Sequence, residues 1–371
     1  MTLALEGFRI LDLALQPTPG ALCTRMLGDL GAEVIRIEQP TSHPPRMNPM
    51  YAVWARNKKS VALNLKNEEA RKVFYKMVES ADVVLESFRP GVVNRLGVDY
   101  DTISKINPRI VYCSISGYGQ SGPYKLLAGH DLNYQGIGGT LKRSGGLTGR
   151  PIWPTHVLAD LNCTMNAITG ILIALLVRGR TGRGQYVDVA LLDGAVSPYY
   201  EFHGPQLDGS NPGYNMYETK DGRWITIGVI EPWFWERLCK AVGREGLIPY
   251  QMADQAKLEE IRGIFQEVFK TKTRDEWFEY LWKWEVEVGP VLDDDELDSD
   301  PQIQHRNMLL EIEHPVIGKV RHVGIPVKLS DTPGAIRGHA PALGQDTEEV
   351  LRGLGYSREQ IDELRKIGAA G

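Results

Sequence analysis

FRILDLALQPTPGALCTRMLGDLGAEVIRIE, residues 8–38, is the stretch that decides the fold class. Residues 8–14 are an apolar run of strand length, closed by a segment holding Pro17, Pro19 and Gly20. Over 20–30 the residues Leu22, Met26, Leu27 and Leu30 share one side of a helix. Residues 32–38, AEVIRIE, are again a strand. A strand, helix and strand in so short a space make a βαβ unit and imply a parallel pair.

Working outward, the pattern repeats. Residues 67–80 and 100–106 read as helices, 82–86 and 109–115 (RIVYCSI) as strands, so the first half is an open α/β sheet. A long helix over 162–178 is followed by the polar turn 179–184 and a strand over 185–191. Character changes after about Gly204: 211–217 is loop-like, 224–229 a strand, and a Trp-rich helical stretch opens at Trp233. Residues 319–327 return as a strand and 347–367 as a polar helical segment that packs back on the first domain. The expectation is a large Rossmann-like α/β domain over 1–204, completed by 311–371, with a smaller α+β domain inserted over 205–310.

A chain of 371 residues suits two domains. The net charge of −5 argues against a general nucleic-acid binder. Cys23, Cys113, Cys163 and Cys239 stand far apart with no C-x-x-C pair, which speaks against zinc fingers, redox dithiols and disulfide frameworks. The start of the chain has no basic stretch followed by a long apolar one, and the most apolar run, 168–177, is about half the length of a membrane span. A soluble, cytoplasmic protein with no membrane partner is expected. The acidic run 293–300 lacks the spaced pattern and glycine of a calcium loop and reads as a solvated segment, so no metal site is expected.

The first strand-to-helix turn, residues 14–20, has none of the G-x-G-x-x-G glycines that admit a pyrophosphate. Neither a phosphate loop nor a G-x-S-x-G elbow occurs, which weakens nicotinamide, ATP and serine-hydrolase readings. Two other places are chemically loaded. The loop GYGQSGPYKLLAGHD, 117–131, leaves the end of a strand, where open α/β sheets bind ligands. In it Gly129 permits close backbone approach, His130 offers an imidazole, and Asp131 could orient that ring or bond the local backbone. The plain alternative is a loop histidine bonded to its neighbours. The second is Asp160, which reads as the N-cap of the following helix, with backbone N–H groups and a helix dipole beside it. The same geometry suits a base or nucleophile next to a developing oxyanion. Basic residues, Lys59, Arg89 and Arg95 among them, are either surface charges or the rim of a pocket for a phosphorylated nucleotide.

GFRILDLA, GDLGAEVIRIEQP, NKKSVALNLK, ADVVLESFRPGVVNRLG, INPRIVYCSISGYGQSGP, GHDLNY, RTGRGQYVDVALLDGAV and HAPALGQDTEEVL occur in that order over nearly the whole chain. Together they resemble the family III CoA-transferase and α-methylacyl-CoA racemase superfamily, the CaiB/BaiF type. The resemblance implies a Rossmann-like large domain, an inserted small one, and two chains interlocked as a homodimer. It implies coenzyme A as the carrier of the substrate and no prosthetic group. Asp160 then matches the catalytic carboxylate of both branches, acylated in transferases and half of an acid/base pair in racemases. His130 matches the other half, and Glu231, in Ile230-Glu231-Pro232, the residue that bonds that histidine. Lys59, Arg89, Arg95 and Gly129 match positions lining the CoA pocket.

GHDLNY, the Glu231-Pro232-Trp233-Phe234 stretch and the short chain favour the racemase branch. Asp160-Leu161-Asn162 is closer to some transferases, and Gln39 stands where many members carry an arginine that contacts CoA. The expected activity is racemisation of a 2-methylacyl-CoA at its α-carbon. The alternatives are transfer of CoA between carboxylic acids through an acylated Asp160, and a silent partner subunit of such a transferase.

Overall fold

The computed structural model describes residues 2–14, 18–41, 48–201 and 207–371, so residues 15–17 of the first turn and the domain boundary expected near 204 lie outside the described residues. Strands β1 (Arg9–Leu13), β2 (Glu33–Glu38), β3 (Lys58–Ala62), β4 (Val83–Glu86), β5 (Val111–Ser116) and β6 (Tyr186–Ala190) form one sheet in the order β3-β2-β1-β4-β5-β6. Every pairing in it is parallel. The fold is mixed α/β, with helices on both faces of the sheet.

Alternation along the strands explains the two faces. Leu11, Ile35, Val61, Val84 and Tyr112 face a core completed by Val73, Phe74 and Met77 of the helix Glu68–Val78 and by Leu351, Ile361 and Leu364 near the C-terminus. Ile10, Val34, Val83, Leu85, Val111 and Cys113 face the other core. There Cys23 and Leu27 of the helix Pro19–Asp29 meet Cys163, Ala167 and Ile171 of the helix Leu158–Thr181.

Strand β3 is not among the strands expected from the sequence, because its opening lysines are unlike a buried strand. Lys58 is nevertheless fully buried, because its ammonium meets the Asp12 carboxylate at 2.9 Å and also donates to the Ala21 carbonyl and the Thr24 hydroxyl. The Thr24 hydroxyl donates to the same Asp12 oxygen at 2.7 Å. One ion pair thus joins β1, β3 and the helix between β1 and β2.

The chain divides into two compact units, one of residues 1–138, 156–197 and 301–371, the other of 139–155 and 198–300. These bounds differ from those expected, in which 139–155 belongs to the large domain and the return comes at 311. Residues 139–155 are glycine-rich without a clear period, and the Leu147 N–H donates to the Asp208 carbonyl at 3.0 Å, which ties them to the second unit. That unit holds an antiparallel sheet of β7 (Tyr214–Glu218), β8 (Trp224–Gly228) and β9 (Val288–Pro290). Its core is aromatic, with Tyr217, Trp235, Phe265, Phe269 and Trp277. In the first unit the hairpin β10 (Leu309–His314) and β11 (Gly318–Val323) is held by Arg56, which donates to the Val323 carbonyl at 2.7 Å.

The helix Leu158–Thr181 is longer than the apolar run read from sequence, and its length and composition would let it cross a membrane. Its residues Cys163, Ala167, Ile171 and Ala174 are instead part of the sheet's core.

Replacing Asp12 by Ala strands the Lys58 ammonium and should cost about 3–5 kcal/mol in chemical denaturation. Adding Lys58→Met should recover part of that loss. A double variant no more stable than Asp12→Ala would contradict the coupling.

Candidate active site

In a sheet of this order, the crevice for a ligand opens where the strand order reverses, at the carboxyl ends of β1 and β4. A cleft of ≈530 Å³ lies there, lined by Thr18 and Pro19 after β1, residues 87–90 after β4, Ser116 and Gly117 at the end of β5, and His130, Asp131, Tyr134 and Asp160. A hollow of ≈620 Å³ at the amino ends of the strands is lined by Arg9, Glu33, Lys59 and Arg337. Another, of ≈680 Å³, lies in the second unit. Size does not decide between them; the cleft at the switch point is the one that His130 and Asp160 both line.

His130 is exposed and immediately precedes the helix Asp131–Ile137. Its N–H donates to Asn133 Oδ1 at 2.9 Å, and the Asn133 N–H returns a bond to the His130 carbonyl at 2.8 Å. Tyr134, on the next turn, donates its hydroxyl to the Gly129 carbonyl at 2.8 Å. A Cβ on Gly129 would come within 2.9 Å of the Tyr134 ring, and one on Gly117 within 2.6 Å of its hydroxyl. Close packing of Tyr134 is therefore what these glycines allow, and it fixes the loop that presents His130.

Asp160 is not the helix cap expected from sequence. The helix begins at Leu158 with Val157 before it, so Asp160 is the third helical residue. Its N–H donates to Asp131 Oδ1 at 3.0 Å, and the other Asp131 oxygen accepts from the Gln135 side chain. The Asp160 carboxyl is half-buried in the cleft wall and is pushed from 3.8 up to about 6, first by burial and then by the charge of Asp131, with His130 opposing. Asn162, the transferase-like residue, donates its amide to the Gly194 carbonyl at 2.9 Å and packs one helix against another.

The remaining sequence-predicted residues divide. Arg89 lines the cleft and is exposed. Arg95 is exposed in the short helix Val92–Leu96, outside the cleft lining. Lys59 lies elsewhere, paired with Glu33 at 3.1 Å and Glu349 at 2.9 Å, because the second residue of β3 sits toward the amino edge of the sheet. Gln39 is exposed just after β2. Glu231 belongs to the second unit, where it is half-buried and its carbonyl accepts from the Trp235 N–H at 3.0 Å at the start of the helix Pro232–Ala241.

Sequence reasoning missed Lys125 and Tyr134 in the cleft wall. It also missed Glu86, a buried carboxyl at the end of β4 raised to about 7 by burial, which accepts from the Phe88 N–H at 2.7 Å and from the Ser114 hydroxyl. A glutamate closing the apolar run ADVVLE was the available signal. Among the described residues no group of three or more His, Cys, Asp or Glu side chains is placed to hold a metal ion. Glu296, from the acidic run, pairs with Arg223 at 2.6 Å and Arg274 at 2.7 Å.

The sequence model of CoA-transferase family III matches residues 5–347. The chain belongs to this family. It is 34% identical to the alpha-methylacyl-CoA racemase of Mus musculus, over 98% of this chain and 96% of that one. It is 32% identical to the succinyl-CoA--L-malate CoA-transferase beta subunit of Chloroflexus aurantiacus, over 98% and 97%. Its structure is similar to that of a CAIB/BAIF family protein from Brucella suis, with a TM-score of 0.79, 27% identity, and coverage of 95% of this chain and 100% of that one. Family members of both activities are thus about equally similar to it.

Between pH 3.8 and about 6 the folded chain holds an Asp160 proton that the unfolded chain releases, so stability falls as pH rises through that window. After allowance for solvent screening of a half-exposed group, the cost above the window is on the order of 1 kcal/mol. Asp160→Asn should therefore raise the Tm at pH 8 by about 2 °C, with the gain shrinking at pH 4.5. Thermal melts at the two pH values check this; an equal or absent gain would contradict it.

Proposed function

We propose that the chain racemises the α-carbon of a 2-methylacyl-CoA thioester, with His130 and Asp160 as bases on opposite faces of that carbon. The observation that carries this reading is the opening of both side chains on one cleft at the switch point of the sheet. A thioester makes its α-proton removable because charge flows to the carbonyl oxygen as an enolate. One base takes the proton and the other returns one to the opposite face. The competent pair holds one proton between them, and a carboxyl raised to about 6 can take or give one near neutrality. Arg89 and Lys125 line the same cleft and in this reading meet the phosphates of CoA. No prosthetic group enters this chemistry.

A transferase reading draws on the 32% identity to a CoA-transferase subunit. There Asp160 attacks the thioester carbonyl, the C–S bond breaks, CoA leaves as its thiolate and Asp160 is itself acylated as a mixed anhydride, and His130 has no part. Two variants and one trap separate the readings. For the racemase, His130→Ala and Asp160→Ala each abolish racemisation, each sparing α-proton exchange from one stereoisomer only. An active His130→Ala variant, together with a hydroxylamine adduct on Asp160 when the native protein is incubated with acyl-CoA, would establish the transferase instead.

The active form in this proposal is an interlocked cytoplasmic homodimer. The helix Leu158–Thr181 leaves Leu161, Met165, Ile173 and Leu176 exposed, Leu176 by 72%, a stripe that a second copy would cover. Sedimentation at micromolar concentration should give twice the chain mass. An active monomer would contradict this part.

A further inference from the structure

We propose that Asp131 is a positioning residue for the reaction: its buried carboxylate clamps the helix start carrying Asp160 to the turn carrying His130. This rests on the reading of His130 and Asp160 as the acid/base pair. Asp131 follows His130 in the chain and is 8% exposed. Its Oδ1 accepts the Asp160 N–H at 3.0 Å, and its Oδ2 accepts from Gln135, whose amide also donates to the His156 carbonyl at 3.1 Å. The carboxylate is therefore tied on both sides and cannot swing toward solvent without breaking bonds in two segments.

Several groups bear on the Asp160 carboxyl. Asp131 opposes its ionisation and His130 favours it. Tyr134 and Cys163 lie near enough to feel its charge, and the cations Arg89 and Lys125 line the same cleft. Asp131 alone among them both holds the backbone of Asp160 and adds a like charge. A proton-transfer site needs this combination, because a carboxyl kept readily protonated must also be kept in place.

The test uses Asp131→Asn, which keeps an oxygen for the Asp160 N–H and removes the charge. Carbon-13 titration of the Asp160 carboxyl reads the effect without reference to turnover, and the acid limb of the pH profile for α-proton exchange reads it in the reaction. Both should move to lower pH, by on the order of one unit. Asp131→Ala, which also removes the acceptor, should lose about tenfold more in kcat than Asp131→Asn. Asp131→Ser, a second variant that keeps a hydroxyl acceptor, should reproduce the shift if the first does not fold. An unmoved carboxyl titration in the folded variants overturns the inference. Full racemisation by Asp160→Asn would instead overturn the two-base reading, and the titration would still report on Asp131.

Discussion

The hydrogen bond from the Asp160 N–H to the Asp131 carboxylate joins a loop that leaves β5 to a helix that packs across the sheet. His130 and Asp160 are thirty residues apart in sequence, and this bond ties the residue after His130 to the backbone of Asp160. Both oxygens of the carboxylate are used, and it is nearly buried. A buried carboxylate bonded through both oxygens resists displacement, and in the proposed reaction that holds the two bases in place.

The sheet supplies the rest of the constraint. Reversal of strand order between β1 and β4 leaves a crevice at their carboxyl ends, and the walls of the cleft come from the segments that leave β1, β4 and β5. Those segments are anchored from below. The Asp12–Lys58 pair fixes the end of β1 against the helix that follows, and Glu86 holds the Phe88 N–H and the Ser114 hydroxyl. Buried polar groups are costly unless satisfied, so their gathering beneath one crevice marks where the fold concentrates its order.

Much of this was legible in the sequence, and the reasons differ by element. The βαβ unit of residues 8–38 was readable because its strands are continuous apolar runs and its helix has a clear period. Strand β3 was not, since Lys58 looks exposed until its partner forty-six residues earlier is known. His130 and Asp160 stood out by motif and by position after a strand or at a helix start. The role of Asp160 as a cap was misread because Leu158 and Ala159 carry no start signal, and the helix opens earlier than its polar residue. Lys59 matched a pocket motif by sequence, yet register places it toward the amino edge with Glu33 and Glu349. Motif position and strand register are separate facts, and only the second says which end of the sheet a side chain reaches.

The central claim is that two bases share one α-carbon, and the native protein in deuterated water tests it most directly. A single (2R)-2-methylacyl-CoA is converted to low extent and both stereoisomers are recovered for mass analysis, with and without an added free carboxylic acid. The expected result is a (2S) product carrying deuterium at the α-carbon, residual (2R) substrate still carrying protium, and no effect of the added acid. Absence of any deuterated (2S) product, together with passage of CoA to the added acid, would contradict the account.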